Sequence, residues 1–385
     1  MEALTDAVAG ARRTASVRTR HIDWVLFGAV ALITAAGLVT MNSFTAENYF
    51  FEKQLGWALI AVLVFFGLAS VDFHFLRRTG VIVFLFLGMV VTLLLIFLLG
   101  TVVSGAQSWF SFGGFALQPS DPAKLVLILL LAKYFSRRHV EIAYVRHILV
   151  SGAYAAVLFL LVFFQPDFGS AIIILSVWLG MVLVSGISKR HLALVFLTGA
   201  VAFAGLWLYG FADYQKQRIL TFIHPYTDLR GSGYNAYQAT IAIGSGGLLG
   251  KGVGYGTQSK LRFLPEYETD FIFSAFAEEW GFVGVVLLFL LYGVVFWRVV
   301  AAALGGETNF EILYGAGVAV LFLSHFVIHI GMNIGLLPVT GTTVPFMSYG
   351  GSHLVTEFAA LGILMGMRRH ARSAHKDDVH RELLA

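Results

Sequence analysis

Runs of apolar residues, each close to the length a helix needs to cross a bilayer, recur along almost the whole of this chain. They are Trp24–Met41, Leu55–Val71, Gly80–Gly100, Pro122–Phe135, His147–Phe164, Gly169–Ile187, His191–Gly210, Asp270–Trp297, Glu311–Leu337 and Leu354–Met367. Hydrocarbon offers no partner to a backbone N–H or C=O, so such a run is stable there as a helix of about 20 residues that satisfies its own hydrogen bonds. The predicted fold class is all-α, a polytopic membrane protein of about ten transmembrane helices. The fourth and tenth runs are short, which implies tilt, burial in protein or an end in water. Apolar residues fill 58% of the 385 positions and charged residues 12%, against roughly a quarter charged in soluble domains, so a soluble globular enzyme is excluded. The first run is too long for a signal-peptide core and lacks a small-residue cleavage site. With no cysteine, disulfides, thiolate nucleophiles and thiolate metal sites are excluded too.

Basic residues orient the spans, because cytoplasmic loops collect Lys and Arg. Place the segment bearing Arg12, Arg13, Arg18 and Arg20 inside and alternate ten spans. The inner loops then receive Arg77, Arg78, Lys133, Arg137, Arg138, Arg146, Lys189, Arg190, Arg298 and the cluster beginning Arg368-Arg369. This divides the chain into a basic cytoplasmic tail (residues 1–22), a transmembrane domain (residues 23–367) and a cytoplasmic C-terminal tail (residues 368–385). Basic inner loops beside anionic lipid account for the net charge of +4, and no nucleic-acid partner is needed. Three outer segments stand apart. Residues 211–269, between the seventh and eighth helices, form a long loop whose Gly, Tyr and short apolar stretches mark it as ordered and interfacial. Residues 101–120 are aromatic and Gly-rich, and residues 338–352, with Pro and Gly, read as a re-entrant segment before the tenth helix.

Ionisable residues at the edge of a span are costly, so each invites a functional reading. Asp270 opens the apolar text FIFSAFA after the loop text LPEYET. Either it caps the helix that follows, or it is a partly desolvated carboxylate that serves as a base or holds a metal ion. Ser120-Asp121-Pro122 reads as a helix start with Asp121 as the cap, and Lys124, three residues on, faces the same side. That pair is either a local cap and ion pair, or a cation and carboxylate for an anionic substrate. Asp167 is read as the cap of the sixth helix, and Glu278 and Glu279 as bonded within the bundle. His325 and His329 have the i, i+4 spacing of a metal pair but no accompanying glutamate motif, so hydrogen bonding within the bundle is their reading. Arg218, Arg230, Lys251, Lys260 and Arg262 make the long loop basic, which is either a solvated surface or, beside a membrane, what a lipid-linked phosphate would require. The strings IGSGG and GKGVGYG are no phosphate loop, because no strand–loop–helix context surrounds them.

GLLPVTG (Gly335–Gly341) followed by PFMSYGGS (Pro345–Ser352) resembles the signature of the SEDS family, the shape, elongation, division and sporulation proteins. The resemblance extends in order through QPSDPAK (Gln118–Lys124), QPDFGSA (Gln165–Ala171), GYN (Gly233–Asn235), IAIGSGGLLGKG (Ile241–Gly252) and LPEYETDFIFSAFAEEWGFVG (Leu264–Gly284), and GTQSKLRFLPE looks like the elongation, RodA-type branch. It implies a peptidoglycan glycosyltransferase of the bacterial cytoplasmic membrane. Such proteins polymerise lipid II on the outer face, with a class B penicillin-binding protein and other elongation-complex proteins as partners. In this family the aspartate of TDFIF is essential, which maps to Asp270, and an acidic residue and lysine lining a central cavity map to Asp121 and Lys124. Asp121 stands where glutamate is usual, His329 where asparagine is, Thr342-Thr343 where Ile-Pro is and His353 where serine is; Asn333 falls where an apolar residue is common. Forming a β-1,4 link from an α-linked pyrophosphate needs inversion. A good leaving group lets one carboxylate and nearby cations suffice. Asp270 is thus the base on the acceptor 4-hydroxyl or a ligand of a divalent cation, Mg2+ or Mn2+. Arg218, Lys251, Lys260 and Glu266 join Asp121 and Lys124 as substrate-binding candidates. A lipid II flippase and a non-enzymatic scaffold for a penicillin-binding protein are the rival readings.

Overall fold

The computed structural model describes residues 22–43, 49–103, 106–112, 115–136, 145–224, 233–261 and 263–382. The basic tail before residue 22 and the loop cations Arg137, Arg138, Arg230 and Arg262 lie outside the described residues. In chain order the helices are α1 (Trp24–Asn42), α2 (Tyr49–Ala69), α3 (Thr79–Leu99), α4 (Ser120–Ser136), α5 (Val145–Phe163), α6 (Phe168–Val184) and α7 (Lys189–Gly205). There follow α8 (Asp213–Ile223), α9 (Tyr234–Ser245), α10 (Thr257–Lys260), α11 (Ile272–Leu304), α12 (Asn309–Asn333) and α13 (Gly351–Glu382). Each of the ten apolar runs overlaps one of these. Seven are long and apolar enough to cross a membrane: α1, α2, α3, α5, α7 with the π turn that continues it to Gly210, α11 and α12. α4 and α6 are shorter, and α13 runs on through the C-terminal tail to Glu382.

The short fourth run owes its length to its place. α4 is apolar all round (LVLILLLA) and is buried from Ser120 to Ala132 but for Pro122, enclosed by α3, α5, α6, α12 and α13. A helix hydrophobic on every side belongs in the interior. α7 is the opposite case, with no buried residue along its length. Its apolar surface is left for lipid.

The fold is helical as expected, with one small sheet beside the helices. Three short strands form a small antiparallel sheet, β1 (Thr101–Val103), β2 (Ala106–Phe112) and β3 (Phe115–Leu117), in that order, with Thr101 opposite Trp109 and Phe110 opposite Leu117. Aromatic residues suit a half-buried pleated surface.

The long loop does not simply lie over the bundle; part of it enters α11. At Gly281 the backbone leaves the helical region (φ 65, ψ −168). Phe282 N donates to Gly247 O at 2.9 Å and Val283 N to Leu248 O at 3.0 Å, while the carbonyls of Glu278 and Glu279 accept from Lys251 N and Gly252 N, both at 3.0 Å. The loop thus satisfies the four groups that the break orphans, which is how a sharp kink persists inside a helix. The approach explains the glycines. A Cβ on Gly281 would lie 2.1 Å from Gly250 N, and one on Gly250 would lie 2.0 Å from Glu279 O.

Residues 338–350 contain no helix, as the re-entrant reading expects, yet most of them are buried. Irregular backbone inside a membrane protein is tolerated where other protein groups satisfy it. Here Gln54 of α2 donates to Ser348 O and accepts from Gly350 N (3.0 and 3.1 Å). Tyr292 of α11 donates to Pro345 O at 2.6 Å. His325 and His329 of α12 place their Nδ1 atoms 3.1 and 2.7 Å from Thr343 O and Thr342 O. The i, i+4 histidines therefore serve the backbone of this segment, in keeping with the bundle reading.

Candidate functional site

Asp270 sits on a tight turn rather than on a helix. Glu266 adopts φ 48, a left-handed conformation uncommon for a residue with a side chain. Its carbonyl accepts from Thr269 N, Asp270 N and Phe271 N at 3.2, 3.0 and 3.1 Å. The cap of α11 is Phe271, without any side-chain hydrogen bond. Asp270 is therefore not a helix cap, and one of its two readings falls away.

Three residues on two elements, α12 and the irregular segment 338–350, fix that turn. Asn333 of α12 donates to Asp270 O at 2.9 Å. Ser348 Oγ donates to Thr269 O, and Glu268 O accepts from Tyr349 N, each at 2.8 Å. Gly341, at φ 72, lies alongside: a Cβ there would stand 3.4 Å from Asp270 Oδ2. Gly169, opening α6, packs in turn against Thr340 and Gly341; its Cβ would meet Thr340 O at 2.9 Å.

The half-buried Asp270 carboxyl is pushed up to about 7. Burial is the largest cause, the Glu266 and Glu268 charges add to it, and the Arg218 guanidinium of α8 with a Thr269 hydrogen bond opposes it. Burial disfavours the charged form, and two like charges reinforce that.

Asp121 and Lys124 form a second centre, joined to the first through residues 340–353. The sequence placed Asp121 outside the helix as its cap. Instead α4 begins at Ser120, and Asp121 lies within the first turn with its side chain turned into the bundle. Its Oδ1 accepts from Lys124 Nζ at 3.1 Å and faces His353 Nδ1 at 3.3 Å, and its Oδ2 accepts from Ser352 Oγ at 2.9 Å. Both members of the pair are 3% exposed, too enclosed for an ordinary surface bridge. Asp167 caps α6 by accepting from Ser170 N at 3.1 Å, as predicted, and also accepts from Gln118 Nε2 at 2.7 Å. The strings QPSDPAK, QPDFGSA, LPEYETD, LLPVTG and SYGGS thus meet in space.

The other loop candidates lie elsewhere. Lys251 Nζ is 2.7 Å from Glu278 Oε1, which also accepts from Thr257 and Gln258 N, so Lys251 holds the loop against α11. Glu279 likewise accepts from Gly254 N at 2.6 Å. Lys260 is exposed, its Nζ 3.4 Å from Gly254 O. Glu266 is exposed and acts on Asp270 through charge and through its carbonyl. Ser348, Ser352 and Glu357 are parts of the candidate site that the sequence reading did not single out, and Asn333, noted there only as a departure from the family pattern, holds the turn of Asp270. Glu357 carries the signal that could have revealed it, a lone acid within the tenth apolar run.

The profile of the FtsW, RodA and SpoVE family, described as cell cycle proteins, matches residues 15–373. The chain is 36% identical to stage V sporulation protein E of Bacillus subtilis, over 91% of this chain and 98% of that one. It is 32% identical to the peptidoglycan glycosyltransferase MrdB of Escherichia coli, over 92% and 96%. Among solved structures it resembles a chain from a study of how polymerization and crosslinking are coordinated by a peptidoglycan synthase complex (TM-score 0.78, 30% identity, 91% and 98% coverage). It also resembles the rod shape determining protein RodA of Thermus thermophilus (TM-score 0.68, 31% identity, 91% and 97% coverage). With its apolar helices and these relatives along nearly its full length, the chain is a multi-pass membrane protein that belongs to the FtsW, RodA and SpoVE family, the SEDS proteins.

Proposed function

We propose that this protein is a peptidoglycan glycosyltransferase that polymerises lipid II at the outer face of the bacterial cytoplasmic membrane. The observation that carries the reading is Asp270. Its carboxyl stands beside Gly341 on a turn clamped by Asn333, Ser348 and Tyr349, and does not cap a helix. Held near 7, it matches the operating range in which a general base is most effective.

In this reading the Asp270 carboxylate takes the proton of the acceptor 4-hydroxyl. The resulting oxygen attacks C1 of the donor sugar from the face opposite the pyrophosphate. The C1–O bond breaks with its electron pair going to undecaprenyl pyrophosphate, and the α link becomes a β-1,4 link. Arg218, the cation whose charge reaches Asp270, is best placed to offset charge developing on the phosphates. Lys124 contributes from the second centre, through Asp121 and the Ser352 end of α13. Among the described residues no group of three or more His, Asp or Glu side chains is arranged to hold a metal. In the alternative to base catalysis, Asp270 would hold a Mg2+ or Mn2+ ion, a cation that prefers oxygen ligands and needs few from the protein. Bound there, it would supply Lewis-acid stabilisation of the leaving group.

The elongation role rests on GTQSKLRFLPE, and a class B penicillin-binding partner is favoured by the likeness to the peptidoglycan synthase complex. The distribution of Lys and Arg supports a cytoplasmic position for both termini. The test is polymerisation of purified lipid II by purified protein, with and without that partner. Product from the parent and none from Asp270→Asn is expected; polymer from Asp270→Asn within a few-fold of the parent would overturn the assignment.

A further inference from the structure

The imidazole of His353 occupies an unusual position between two buried carboxylates. Nδ1 faces Asp121 Oδ1 at 3.3 Å, and Nε2 lies 2.9 Å from Glu357 Oε1 one turn along α13. His353, Asp121 and Glu357 are 7%, 3% and 2% exposed. Glu357 does not end the chain of contacts: its Oε2 accepts from Phe346 N at 2.8 Å, at the left-handed turn (φ 63) of the irregular segment. Two residues on, Ser348 holds the turn of Asp270. The charged groups around the ring are Asp121 and Lys124 from α4 and Glu357 from α13. His325 from α12 packs with ring centroids 4.8 Å away, and His329 lies one turn beyond it.

Nδ1 is within hydrogen-bonding reach of Asp121, while Nε2 faces Glu357 as a close charge contact outside hydrogen-bond alignment; an ionised carboxylate at each nitrogen is matched by an imidazolium, which carries a proton on both. Two buried carboxylates opposed by Lys124 alone would leave an excess negative charge, which a low-dielectric interior penalises heavily. We infer that His353 is a positioning residue: as an imidazolium it balances the Asp121–Lys124–Glu357 cluster and ties it to the segment that holds Asp270. Lys124 is then not consumed as the sole counter-charge and is available to the substrate. Loss of the ring proton would unbalance the cluster, so polymerisation should fall as pH rises past the point where it leaves, opposite in sense to the limb that Asp270 sets.

This inference rests on the polymerase reading for its activity arm but not for its stability arm. The full-length protein with its penicillin-binding partner would be compared as parent, His353→Gln, Glu357→Gln and the double variant His353→Gln/Glu357→Gln. His353→Gln should lower kcat for lipid II polymerisation ~10-fold or more, reduce the thermal midpoint and remove the alkaline limb of the pH profile. Adding Glu357→Gln removes the uncompensated charge and should restore the midpoint and bring kcat within a few-fold of the parent. A packing role predicts the reverse, with the double variant no better than the single. That result, or a single variant with parental rate, midpoint and pH profile, overturns the inference. Should His353→Gln fail to fold, recovery of folded protein in the double variant supports the inference and equal loss in both refutes it. A parent that makes no polymer would sink the polymerase reading while the midpoints still decide this one.

Discussion

The side-chain amide of Asn333 donates to the backbone carbonyl of Asp270 across 2.9 Å, while its own carbonyl accepts from Ser274 Oγ at 2.5 Å. α12 therefore grips the turn by its main chain and leaves the Asp270 carboxyl to be tuned by other groups. The same amide also donates to His329 O at 2.8 Å. Asn333→Asp keeps the size but turns this donor into an acceptor facing two carbonyls. It should cost about 1–3 kcal/mol, the usual penalty for buried polar groups left unpaired. A thermal midpoint and a polymerisation rate both equal to the parent's would show that the grip is dispensable.

For Asp270 the pH dependence has a definite sign. As the proposed base Asp270 would act as the carboxylate, and its proton is held up to about 7, so on that reading kcat/KM should rise as pH increases through about 7. Asp270→Asn should lose roughly 10²–10⁴-fold in rate, the span typical of general acid–base groups. A flat profile from pH 5.5 to 8 would count against a base role.

Stability should move the other way. A carboxyl whose folded value lies above its ordinary 3.8 binds its proton more tightly folded than unfolded, so ionisation weakens the fold as pH rises. Asp270→Asn should therefore melt above the parent at pH 8, with the difference fading towards pH 4. A parent more stable than the variant at pH 8 would contradict the strained-carboxyl account.

Glycines at the break in α11 should rank by what surrounds them. Gly281→Ala meets Gly250 N at 2.1 Å as well as carrying φ 65, whereas Gly247→Ala carries φ 56 with nothing within 4 Å. The second should cost about 1–2 kcal/mol, the price of a left-handed Cβ, and the first clearly more, with the loop released. Limited proteolysis between residues 246 and 262, alongside melting, would read both, and equal effects would refute the close-packing explanation.

Topology can be read with single cysteines, since the parent has none. Tyr255→Cys, at an exposed loop position, should react with an impermeant thiol reagent in intact cells, and the exposed Lys189→Cys should not. Ser259 would be a misleading probe because it is buried. Labelling in the reverse pattern would invert the membrane orientation.

What could be read from the sequence followed its physics. The helices were legible because a bilayer demands long apolar runs, and Asp121, Lys124 and Asp270 because charges at span edges stand out against them. The partners were not. Asn333 reaches Asp270 from 63 residues away and Ser352 reaches Asp121 from 231 residues away, and no local pattern encodes such meetings. Lys251 misled because a cation in a Gly-rich loop has the same appearance whether it awaits a phosphate or holds Glu278. The break at Gly281 was invisible because the groups that sustain it come from Gly247, Leu248, Lys251 and Gly252.

That break also sets a length. Below it, the piece of α11 from Phe282 to Leu304 measures about 34 Å at the helical rise, enough to cross a hydrocarbon layer of roughly 30 Å unaided. The piece from Ile272 to Trp280 is surplus to that crossing, and its residues are buried from Ile272 to Glu279 while Phe282, Val283 and Leu287 below are exposed. One continuous helix in the sequence is thus a membrane post with a protein-clad peg on its end. Asp270 stands at the tip of the peg; under the proposed reading that tip is where the pyrophosphate and sugars of a lipid-linked substrate would meet it while the tail stays in the oil.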